Sequence, residues 1–235
     1  MNIMKHYGKK FQTFKRLVKN ERPILVEIGS HYGEDSLRLI KTFPKSRLYC
    51  FEPDERNIKI FNKLINQSNV KLIEKAVSFK TGKAKFYRSF VGSNEINVPH
   101  KYNFILTEDY SNLKLNGSGA SSLKKGFPQC LNENKIVETI RFDDWYYQEE
   151  IQNIDLVWID VQGAEKDVID SMGKMIKNIN YIWMEYGEEI YEDALNRKDT
   201  IQLLETKGFV LNSMYSDSGT QGDLLFENEL IIGNY

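Results

Sequence analysis

Four short apolar runs end in a carboxylate that is followed closely by glycine or proline: Glu27-Ile-Gly29, Glu52-Pro53, Asp160-Val-Gln-Gly163 and Glu185-Tyr-Gly187. Strands that only pack have little use for such an ending. Glycine lets the main chain come close to a ligand, and a helix that starts just after it offers free N–H groups to an anion. Glu27-x-Gly29-x-x-x-Gly33 has this form. Its middle is Ser30-His31-Tyr32 rather than the pattern of a GxGxxG turn, which disfavours a nicotinamide dinucleotide. Glu52 follows 23 residues after Gly29, where the two oxygens of a carboxylate match the two hydroxyls of a ribose. Together the two features point to an adenosine-containing ligand.

Asp160 and Glu185 end what read as neighbouring strands. Two carboxylates so placed could hold Mg²⁺ or Mn²⁺, or one could accept a proton alone. The plainer readings are an N-cap for the helix near Ala164 and an ion-pair partner for a Lys or Arg. His31 is either a base at the mouth of the site or a hydrogen-bonding loop residue. Glu165 contacts the site or compensates its helix dipole. His6 and His100 have no metal-ligand spacing around them. Ser118 to Ser122 is a strap over the ligand or a plain loop. Trp145, Tyr146 and Tyr147, beside Asp143 and Asp144, suit sugar recognition or one face of an amphipathic helix.

The elements that position these residues alternate. Strands are expected at 23–29, 47–52, 70–76, 154–160 and 181–185, and helices at 34–42, 54–66, 164–177 and 190–207, the last closed by Gly208. Strand and helix in alternation imply right-handed βαβ units and a parallel sheet. Runs 209–215 and 224–232 read as a closing antiparallel pair. From about Ser78 to Lys135 the rhythm breaks, with Gly82, Gly92, Pro99, Gly117, Gly119, Gly126 and Pro128 among many Asn and Ser. Hairpins and loops near an acceptor are expected there. In the basic segment 1–20, Phe11, Phe14, Leu17 and Val18 have helical spacing, expected of a helix packed on the rest.

Bulk properties bound the answer. At 235 residues one domain is expected, and 41% hydrophobic residues can fill a core. Balanced charge, 32 Lys and Arg against 33 Asp and Glu, removes the case for a nucleic-acid binder that relies on net positive charge. No apolar run is long enough to span a membrane. The only two cysteines, Cys50 and Cys130, lack CxxC spacing, which fits a reducing cytoplasm.

Val26-Glu-Ile-Gly-Ser-His-Tyr-Gly33, Cys50-Phe-Glu-Pro53, Glu74-Lys-Ala-Val-Ser78, Gly119-Ala-Ser-Ser-Leu123, Thr139-Ile-Arg-Phe-Asp-Asp-Trp145 and the run Ile154 to Glu165 stand in one order. They resemble the motifs of FkbM-type S-adenosylmethionine-dependent methyltransferases. The resemblance implies a class I, Rossmann-like α/β fold, with a seven-stranded, mostly parallel sheet and helices on both faces. It implies that Gly29, Ser30 and Gly33, beside Glu27, approach the methionine part of S-adenosyl-L-methionine. Glu52 would bind the ribose, and the backbone around Ala76 would flank the adenine. His31, Gln162 and Trp158 depart from the family's usual Asn, Glu and Lys. The implied activity is O-methylation of a sugar or glycan hydroxyl, with Asp160, Glu185 or His31 assisting the proton. A lipid, peptide-derived or amide acceptor, or a silent cofactor-binding module, remains the alternative.

Overall fold

The computed structural model of the chain describes residues 3–89, 96–97, 114–115, 118–126, 131–187 and 191–232. A helix, α1 (Ile3–Leu17), precedes the alternation β1 (Ile24–Ile28), α2 (Glu34–Thr42), β2 (Arg47–Phe51), α3 (Glu55–Leu64) and β3 (Val70–Ile73). Then come β4 (Ala76–Val77), β5 (Gly82–Ser89), β6 (Ile96–Asn97), β7 (Lys114–Leu115), β8 (Leu131–Ile140) and α4 (Phe142–Gln148). The last part holds β9 (Ile154–Ile159), α5 (Glu165–Ser171), β10 (Ile179–Gly187), α6 (Arg197–Glu205), β11 (Phe209–Tyr215), β12 (Gln221–Asn228) and α7 (Glu229–Ile232).

Seven strands form one sheet in the order β11-β12-β10-β9-β1-β2-β3, with β12 alone reversed. The central strands are buried on both sides, which is why they read as unbroken apolar runs rather than alternating ones. Phe14 of α1, Leu39 of α2 and Phe61 of α3 cover one face together with Leu25, Leu48, Trp158 and Trp183. Trp145 of α4, Val168 of α5 and Leu204 of α6 cover the other with Val26, Phe51, Val157 and Met184.

Side chains alternate across a strand, so this parity fixes where the strand ends point. Glu27 lies two residues after Leu25, Glu52 two after Cys50, Asp160 two after Trp158, and Glu185 two after Trp183. All four therefore share the face of α1, α2 and α3. The chain leaves β1 toward β2 and β3 and returns to β9 on the other side, so β1 and β9 flank the switch point where open α/β sheets bind ligands.

Several expectations change. The expected helix 190–207 begins at Arg197, where Asn196 caps it by accepting from the Asp199 amide, and Tyr191 lies outside it in a bridge to Gly126. The expected helix 164–177 stops at Ser171 and continues as a 3-10 turn from Gly173. The irregular stretch contains β5 and the start of β8, and β8 pairs with β5 on one side and β4 on the other in a second sheet. Trp145 and Tyr146 are buried in the core, which corrects the sugar-recognition reading and leaves only Tyr147 exposed. Gly92, Pro99, His100, Gly117, Pro128 and Cys130 lie outside the described residues, as does the side chain of His6. No helix among the described residues is long and apolar enough to cross a membrane.

Candidate active site

A cleft of about 810 Å³ opens along the ends of β1, β2 and β9. That is within the range of small-molecule sites. Gly29 joins its walls. It has φ +89° and lies so close to β9 that a Cβ there would fall 1.8 Å from the carbonyl oxygen of Asp160. Its N–H and that of Ser30 donate to the Phe51 carbonyl, tying the turn to β2. Gly33 also has positive φ, but for another reason. It faces Phe61 and Ile65 of the α3 region and does not line the cleft, so the expected approach to a ligand is not what its position provides.

Glu27 sits beneath the turn, buried, accepting from the Ser36 hydroxyl of α2 and the Cys50 thiol. Burial, then the nearby Asp35, raises its pKa well above the usual carboxylate value. Glu52 is 4% exposed. Its Oε1 accepts from the Asp54 amide at 2.8 Å and Asn57 Nδ2 at 3.2 Å, and its Oε2 from the His31 amide at 2.9 Å. Burial raises its pKa to about 7. A carboxylate offers roughly four lone-pair sites, so one on Oε2 remains for a ligand hydroxyl where the sequence suggested two. Beyond Glu52 the wall becomes apolar, with Pro53, Ala76 and Phe86 able to enclose a flat base.

His31, at φ +51°, has both ring nitrogens engaged. Nδ1 lies 3.0 Å from Glu34 and Nε2 2.9 Å from the Ser118 hydroxyl. Burial opposes its charge, but Glu34, and then Glu52 and Asp160, hold its pKa above the ordinary value. Ser118 is within 2.6 Å of Asn57 Oδ1 and 3.0 Å of the Tyr32 hydroxyl. The 118–122 segment is thus a strap, tied at one end to the Glu52 cluster. At the other end Ser122 bridges Tyr87 of β5, and the Tyr191 hydroxyl lies 3.2 Å from the Ala120 carbonyl.

On the far side of Gly29, Gln162 joins two carboxylates. Its Nε2 donates to Asp160 Oδ1 at 2.6 Å and to Glu185 Oε2 at 2.9 Å, while its Oε1 lies 3.0 Å from the Tyr191 hydroxyl, whose one proton serves either this oxygen or the Ala120 carbonyl. Gln221 donates to the other oxygen of Glu185 at 2.8 Å. Burial raises the pKa of both acids, and the proximity of Asp160 raises that of Glu185 further, so the pair holds protons to a higher pH than carboxylates in water do. Asp160 lines the cleft; Glu185 stands behind it. The structure does not support the divalent ion expected at this pair. The amide of Gln162 lies between the two acids, and among the described residues no group of three or more His, Cys, Asp or Glu could hold a metal ion.

Glu165 neither lines the cleft nor merely faces a helix dipole. Buried at the start of α5, its Oε1 accepts from the Val161 and Gly163 amides and so fixes the loop that carries Gln162. Asn57, Asp35 and Lys10 were missed by sequence reasoning. Asn57 carried a weak signal, one turn into the helix that follows Glu52.

Compared with known proteins, residues 27–211 match the family described as the methyltransferase FkbM domain. The chain belongs to the FkbM methyltransferase family. A curated relative, the 2-O-methyltransferase NoeI of Sinorhizobium fredii, is 29% identical over an alignment of 222 residues that covers 90% of this chain and 82% of that protein. Among solved structures, a putative rRNA methylase from Clostridium thermocellum superposes with a TM-score of 0.53 at 11% identity, covering 94% of both chains. A Methanococcus jannaschii fibrillarin pre-rRNA processing protein gives 0.51 at 10% identity, over 89% of this chain and 68% of that one. These two likenesses concern the fold, which is that of class I methyltransferases. This FkbM-family protein is an S-adenosylmethionine-dependent methyltransferase.

Proposed function

We propose that the protein methylates a hydroxyl group of a sugar or glycan, with Asp160 as the base and without a divalent ion. The cofactor supplies a methyl group carried on a cationic sulfur. Glu52 would take a ribose hydroxyl on its open lone pair, and Ala76, Pro53 and Phe86 would enclose the adenine. The main chain at Gly29 and Ser30, above buried Glu27, would meet the methionine part.

The observation that carries the proposal is Asp160 at the cleft wall, oriented by Gln162, whose amide also holds Glu185. An alkyl hydroxyl is a poor nucleophile until its proton is taken. Asp160 would accept that proton as the oxygen–methyl bond forms and the sulfur–methyl bond of the bound cofactor breaks, S-adenosylhomocysteine being the neutral-sulfur leaving group. A carboxylate whose pKa is raised by burial is a stronger base than one in water. His31, held between Glu34 and Ser118, would position the strap and leave the proton to Asp160. Oxygen as acceptor is supported by the relative named as a 2-O-methyltransferase. The sugar class is supported by the FkbM-type motifs.

The test is methyl transfer from methyl-labelled S-adenosylmethionine to a panel of methyl hexosides, methyl 6-deoxyhexosides and their disaccharides, with products read by mass spectrometry and NMR. A methyl ether on one of them is expected. Transfer only to nitrogen, or to lipid or peptide acceptors, would overturn the sugar reading.

A further inference from the structure

The cleft continues past Asp160 into a groove between α1 and α2, walled by Phe11 on one side and Asp35, Arg38, Lys41 and Thr42 on the other. From Asp35 to Thr42 the helix rises about 10 Å at roughly 1.5 Å per residue, so the groove is long enough for more than a reacting hydroxyl. Nothing in the 27–211 family match includes α1. Yet α1 is firmly seated. Phe14 is 1% exposed, and Lys10, 7% exposed, lies 3.9 Å from the Trp158 ring centroid and 3.7 Å from Asp35 Oδ2. Phe11 stacks on Trp158, with centroids 5.9 Å apart and planes at 25°, while Asp35 Oδ1 accepts from Arg38 at 2.6 Å.

We propose that this groove is the acceptor subsite, with Phe11 packing against the apolar face of a pyranose ring and the Asp35–Arg38 pair hydrogen-bonding its hydroxyls. An aromatic face beside a carboxylate and a guanidinium matches a sugar, which is apolar across its C–H face and polar at its rim. A purely apolar tail would leave Asp35 and Arg38 desolvated along the same wall. The inference rests on the sugar reading above.

Acceptor KM, kcat and cofactor affinity are measured on the glycoside panel for the wild type, Phe11→Ala, Phe11→Tyr and Arg38→Met. Phe11→Ala is expected to raise acceptor KM about tenfold with cofactor Kd unchanged, Phe11→Tyr to restore it, and Arg38→Met to raise KM severalfold. Arg38→Met also serves if Phe11→Ala folds poorly. Glycosides methylated by the wild type with KM unmoved in the variants would overturn the groove and leave the sugar reading standing. No glycoside methylated by the wild type would overturn the sugar reading, and this inference with it.

Discussion

Around Glu52 the cleft is held largely by main-chain N–H groups and by residues close in sequence, whereas around Asp160 it is held by side chains from separated segments. Glu52 receives the amides of His31 and Asp54 and the side chain of Asn57. Asp160 depends on Gln162, and through it on Glu185, Tyr191 and Gln221. A carboxylate pinned by amide donors suits a fixed hydrogen bond to a ligand. A carboxylate linked through a side-chain amide to a second buried acid suits a group whose protonation must change. A third carboxylate shows the contrast again: Asp155, at the far end of β9 from Asp160, accepts from the Ile24 amide, Asn20 and Asn180 and joins the beginnings of β1, β9 and β10.

The largest effect is expected where the two regions meet. Gly29→Ala would drive a Cβ into the Asp160 carbonyl, at a φ that disfavours alanine. Calorimetry should detect no cofactor binding and the melting temperature should fall. Gly33→Ala is equally strained but meets only Phe61 and Ile65. It should lower the melting temperature while keeping cofactor affinity within about threefold, since the added methyl group is directed at α3 and away from the cleft. Equal loss of affinity in both would erase the distinction between the two glycines.

Glu52→Ala comes next. Losing a charged hydrogen bond of about 1.5–3 kcal/mol should weaken cofactor binding roughly ten- to a hundredfold. Turnover at saturating cofactor should stay within about threefold, because the Asp160 side is untouched. A fall in kcat as large as the fall in affinity would mean that the two regions do not act separately.

Glu165→Gln should change turnover least. Burial, its largest influence, raises the pKa of Glu165 from the ordinary 4.5 to about 7. The folded state therefore holds a proton that the unfolded state has lost. That stabilisation is complete below pH 4.5 and disappears as pH rises through 7. Urea unfolding at pH 5 and pH 8 should show the wild type losing at most about 3 kcal/mol more than the variant. A variant that loses as much as the wild type would show that Glu165 does not titrate in this window.

The cofactor side was the more legible in sequence because its signals are local. A carboxylate, a glycine and a strand end fall within a few residues at Glu27-Ile-Gly29 and at Glu52-Pro53, and the parity of the strand brings both to one face. Gly33 misled because a glycine in the left-handed region gives the same sequence signal whether it admits a ligand or a neighbouring side chain. On the Asp160 side, the two acids could be placed at adjacent strand ends, but not the amide between them. Gln162 is turned back by its own φ of +56° and is held by Tyr191, which was expected inside a helix. Lys10 and Asp35 meet only through the packing of α1 on α2, which no local pattern records. β8 was missed in part because its exposed face sets Asn134 and Glu138 on either side of an exposed Ile136, in a stretch rich in loop residues.

The central claim is that Asp160 handles the proton and leaves cofactor binding to the other side of Gly29. It is tested most directly by turnover and cofactor affinity in Asp160→Asn, each with and without chelator, across pH. The expected result is kcat reduced about 10²- to 10⁴-fold with cofactor Kd within about threefold. Wild-type turnover should be indifferent to chelator and should fall on the acid side as the raised Asp160 takes up its proton. Full activity in Asp160→Asn, or wild-type turnover abolished by chelator and restored by Mg²⁺ or Mn²⁺, would contradict it.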